Sequence, residues 1–75
     1  MKDVNAFLGK TISSLRQTLG LTQEELAHLA GVHRTYVSQL ERGLKSPTLA
    51  ILIKVAKALD SNASDLLRGV EDELD

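Results

Sequence analysis

Between Gly31 and Gly43 lies a run of hydrogen-bonding side chains at helical spacing: Arg34, Thr35, Ser38, Gln39 and Arg42. Val37 and Leu40 are the only aliphatics within this predicted helix. On a wheel turning about 100° per residue they define the buried side. Arg42, Thr35 and Gln39 then point away from it, Ser38 and Arg34 flank them, and Tyr36 and Glu41 fall on the borders. The chemistry on offer is recognition by hydrogen bonds. The major groove of B-DNA admits an α-helix, and its base edges display distinct donors, acceptors and methyl groups. Arginine can grip guanine with two bonds, glutamine can do the same to adenine, and the threonine methyl can touch that of thymine. The plainer alternative is a solvated face, the usual fate of a polar face on a short helix.

Charge is distributed unevenly behind a formal total of −1. Residues 33–57 carry Arg34, Arg42, Lys45, Lys54 and Lys57 against Glu41 alone, a local balance of +4. Residues 60–75 carry Asp60, Asp65, Glu71, Asp72, Glu73 and Asp75 against Arg68, a balance of −5. A basic middle beside an acidic end suits a polyanionic partner better than the total suggests. The 75 residues suffice for one domain. Cysteine is absent, so disulfide and thiolate chemistry are excluded and a reducing cytoplasm is the expected compartment. Neither a signal peptide nor a membrane span is expected. His28 and His33 are the only histidines, too few for a metal site, and neither metal nor cofactor is expected. Nothing resembles a phosphate loop or a catalytic triad, and enzyme activity is not expected.

The elements that must position these residues read as five helices, an all-α class. The first spans about 4–19, with Leu8, Ile12, Leu15 and Leu19 on one stripe and Gly20 as its stop. Thr22 precedes Glu25 by three residues, which predicts a capping box for a second helix that ends at Gly31. The third runs over 34–42 to Gly43. Thr48 caps a fourth over 49–59, with Leu49, Leu52, Val55, Ala56 and Leu59 as its stripe. Asn62 caps a fifth that Gly69 is expected to end. This divides the chain into a domain over 1–69 and an acidic tail over 70–75. Two short helices joined by a tight turn at Gly31 form the helix-turn-helix arrangement.

Residues 10–68 resemble the helix-turn-helix family of phage Cro and repressor proteins. The matching pieces are Leu15 and Arg16, GLTQEELA (20–27), AGVHRTYVSQLERG (30–43), SPTLAILIKVAKAL (46–59) and DLL (65–67). The segment RTYVSQLERG is also similar to the controller proteins of restriction–modification systems. The resemblance implies a compact five-helix repressor-like fold with helices two and three as the DNA-binding unit. It implies base contacts by Arg34, Thr35, Ser38 and Gln39. Contacts to the DNA backbone fall to Thr22, Gln23, His33, Tyr36, Arg42, Lys45 and Ser46. Arg16 and Glu41 match an internal structural ion pair, and Arg16 could also touch a phosphate. Asp60 and Ser61 stand where the family more often has Gly and Val, which is expected to weaken that turn. Leu44 replaces a residue that is commonly polar or basic.

The family reads two half-sites as a twofold dimer, so double-stranded DNA and a homodimer are the expected partners. Ile51, Leu66, Leu67 and Val70 are the candidate interface, or else core residues of a monomer. The alternative function is an interaction module, such as an antitoxin, that binds a partner protein with the same fold.

Overall fold

A computed structural model describes residues 3–74. It contains five helices: α1 (Val4–Thr18), α2 (Gln23–Ala30), α3 (Arg34–Glu41), α4 (Leu49–Ala58) and α5 (Ala63–Leu74). Among the described residues there is no strand, and no helix is long and apolar enough to cross a membrane.

Each helix begins on a polar side chain that accepts a backbone N–H otherwise left without a partner. Asp3 accepts from Ala6, Thr48 from Ile51 and Asn62 from Asp65. Thr22 takes the Glu25 N–H at 3.0 Å, and the Glu25 carboxylate accepts the Thr22 N–H at 2.9 Å, closing the capping box.

Four helix ends are built alike. After α1, α2, α3 and α4, two successive backbone N–H groups turn back onto carbonyls of the last turn: Gly20 and Leu21, Gly31 and Val32, Gly43 and Leu44, Asp60 and Ser61. This motif needs a residue of positive φ at its pivot. Glycine supplies it at positions 20, 31 and 43. Asp60 supplies it at φ 56, so the turn before α5 forms without glycine. The expected weakness there is confined to the strain of a left-handed aspartate.

The core joins all five helices. Ile12, Leu26, Val37, Leu40, Val55 and Leu66 are its largest fully buried side chains. Two residues expected in buried stripes lie outside it. Leu19 and Leu49 sit at helix ends beyond the reach of the core and are exposed.

The largest correction concerns α5. It does not stop at Gly69 but continues to Leu74, and Val70 is only 2% exposed. A mid-helix glycine costs about 1 kcal/mol against alanine. Burying a valine side chain returns about 1.5–3 kcal/mol, so packing overrides the local preference. Residues 70–74 therefore belong to the folded unit, and Asp75 lies outside the described residues. Of the two readings open for Leu66 and Val70, interface or monomer core, burial in the single chain matches the core.

Candidate nucleic-acid interface

The position of α3 is set from beneath and from one end. Val37 and Leu40 anchor it in the core. At its C-terminal end the backbone of α1 comes unusually close. A Cβ added at Gly9 would lie 2.3 Å from the Leu40 carbonyl oxygen and 2.6 Å from that of Glu41. One added at Gly43 would lie 2.9 Å from Ala6 Cα. Only hydrogen at these two positions lets α1 and α3 meet along this seam.

An ion pair locks the same end. Arg16 donates from Nε to Glu41 Oε2 at 2.7 Å and from a terminal nitrogen to Oε1 at 3.0 Å. Its other terminal nitrogen donates to the Leu21 carbonyl at 2.8 Å. Gln23, the first residue of α2, donates its side-chain amide to Glu41 Oε1 at 3.1 Å. One carboxylate thus ties together α1, the start of α2 and the end of α3. The Arg16 side chain is 14% exposed and that of Glu41 6%. The bond and charge of Glu41 hold the Arg16 guanidinium above its usual pKa, against the opposing effect of burial.

At the other end of α3, His33 accepts the Thr35 N–H on Nδ1 at 3.1 Å. A ring that accepts at Nδ1 carries its neutral-form hydrogen on Nε2, which leaves Nε2–H as a donor. This is how an imidazole performs the cap that serine or threonine provides more often.

The outward side of α3 carries the predicted recognition groups. Arg34 and Thr35 are exposed, and Ser38 and Gln39 are half-buried along the same helix. Tyr36 is half-buried and packs against the core. Arg42 caps the helix and is exposed, and Lys45 and Ser46 are exposed in the connection to α4. Thr22, His33 and Arg34 line one shallow depression, which brings the starts of α2 and α3 together. Ile51 and Leu67 lie apart from this group, on α4 and α5.

Sequence reasoning missed two neighbourhoods. Glu24 and Glu25 share the depression with Arg34. Glu25 is engaged there: its bonds to Thr22, the backbone N–H first, hold its carboxyl below the usual range. Lys10, Ser13 and Gln17 of α1 lie beside Arg42 in a second groove. No local motif signals either contact: the first depends on how the turn at Gly31 folds α2 against α3, and the second on packing between α1 and the end of α3, helices distant in sequence.

The helix-turn-helix family model matches residues 12–66. The control protein C.SmaI of Serratia marcescens is 38% identical over 73 residues, covering 95% of this chain and 87% of that protein. The restriction–modification controller protein C.AhdI from Aeromonas hydrophila superposes with a TM-score of 0.80 at 39% identity, covering 83% of this chain and 94% of that one. The controller protein C.Esp1396I, solved as a tetramer with its natural 35 base-pair operator, gives a TM-score of 0.83 at 26% identity, covering 97% and 96%.

Proposed function

Because the chain belongs to the helix-turn-helix family, we propose that it is a transcription regulator that binds a specific DNA operator through α3. The observation that carries this reading is the mounting of α3. Its recognition side faces outward while one buried carboxylate fixes its far end to α1 and α2. Rigid placement matters, because a bidentate base contact discriminates by about 1–3 kcal/mol only when its geometry is held.

In this reading Arg34, Thr35, Ser38 and Gln39 reach base edges. Thr22, Gln23, His33, Tyr36, Arg42, Lys45 and Ser46 set the docking against the sugar-phosphate backbone, which fixes register without reading sequence. The chain acts by binding and not as an enzyme, in the cytoplasm where its DNA partner lies. It reads a palindromic operator as a homodimer, with half-sites about 34–36 Å apart. With Leu66 and Val70 inside the core, the dimer surface falls to Ile51 and Leu67 together with exposed Leu49 and Ile53.

Selection from a random duplex library at moderate salt tests the proposal. The expected result is an enriched palindrome, and the same selection with Gln39→Ala loses preference at one position of each half-site. No enrichment would remove the operator reading and favour the module that binds a partner protein.

A further inference from the structure

We propose that α1 provides a second phosphate-binding surface, built on Lys10, Ser13 and Gln17, that extends the DNA contact past the end of α3. The inference rests on the operator reading above and adds residues that the recognition helix does not supply.

Lys10, Ser13, Ser14 and Gln17 line one side of a groove, and Glu41 and Arg42 line the other. Glu41 does not make this groove acidic, since its two oxygens accept from Arg16 and Gln23. Lys10 and Arg42 are then the charges of this groove, while on its far side Lys10 also borders Asp65 and Glu73 of α5. The Ser13 hydroxyl accepts from the Gln17 amide at 3.0 Å, so its own hydrogen is free to donate outward. Cations beside hydroxyl and amide donors are the groups that contact phosphate oxygens.

Continuity with the recognition surface selects DNA as the occupant. Glu41 lies in the groove wall and also receives the bond from Gln23, so the groove starts one hydrogen bond away from the head of α2. Its other landmark, Arg42, directly follows α3. Lys10 to Gln17 spans about 10 Å along α1 at the helical rise.

The test is the salt dependence of binding by the full chain, on the selected operator and on an unrelated duplex. Each phosphate neutralised contributes about 0.9 to the slope of log K against log salt. Lys10→Ala is expected to lower the magnitude of that slope by about 0.9 on both duplexes, with an unchanged melting temperature, and Lys10→Arg to restore it. Lys57→Ala is the control for a diffuse charge effect, because Lys57 sits in a groove formed by α2 and α4 with no α1 residue. Its slope stays at the wild-type value. Equal slopes for Lys10→Ala and wild type, or equal changes for Lys10→Ala and Lys57→Ala, would overturn the α1 surface. A wild type that enriches no sequence sinks the operator reading separately, since the slope on unrelated duplex still reports Lys10. A wild type that retains no duplex removes both.

Discussion

Arg16 and Glu41 are part-buried, so truncating either leaves the charge of the other without its partner. Losing one partner of a buried pair costs about 3–5 kcal/mol. Glu41→Ala is expected at the lower end of that range in chemical denaturation, because the Arg16 side chain keeps 14% exposure. Arg16→Met combined with Glu41→Leu removes both charges and should cost clearly less than either single truncation. Glu25 contributes to the loss of stability in acid. Its folded pKa lies below the unfolded value, so its stabilisation is complete above the unfolded carboxylate pKa of about 4.3. It fades as pH falls through the folded value. Thermal melts between pH 3 and 6 should show Glu25→Gln with a shallower loss of stability on acidification than wild type. Equal slopes would remove the capping carboxylate as a cause.

Element boundaries show where sequence was informative. The caps at Thr22, Thr48 and Asn62 and the stops at Gly20, Gly31 and Gly43 were legible, because each depends on residues within a few positions. The outward set on α3 was legible for the same reason: Val37 and Leu40 fix its rotation. The end of α5 was not, because burial of Val70 against other helices outweighs the local penalty of Gly69. Asp60 was misleading in the other direction, since aspartate can hold the left-handed pivot that glycine holds elsewhere. The seam at Gly9 and the groove beside Arg42 depend on α1 and α3, which are far apart in the chain, and the depression beside Arg34 depends on the angle between the neighbouring helices α2 and α3. Gly69 offers a direct check: a Cβ there meets nothing within 4 Å. Gly69→Ala should therefore stabilise the protein by up to about 1 kcal/mol in urea denaturation, with operator affinity unchanged. Destabilisation would show that α5 ends near residue 69 in solution.

Exposed apolar side chains occur on several elements, Leu29 and Leu44 near the proposed DNA-binding groups among them. The proposed recognition groups gather on α3 and the starts of its neighbours, and α4 and α5 also carry exposed apolar side chains. Leu49 and Ile53 lie four residues apart on α4, and Leu49 is 69% and Ile53 41% exposed. Leu67 adds an exposed apolar group on α5, the helix packed against α4. Ile53→Asp is expected to shift sedimentation from dimer to monomer at micromolar concentration and to weaken operator binding, with the helical circular-dichroism signal retained. An unchanged sedimentation coefficient would remove α4 from the proposed dimer surface. Heredity acts on the glycines of this molecule unequally. Every missense change of a glycine codon adds at least one carbon. At position 69 that carbon enters open space, and lineages can drift through alanine. At position 9 it strikes the carbonyls that end α3, so descent can keep glycine there or move the recognition helix, and no smaller residue exists through which to pass.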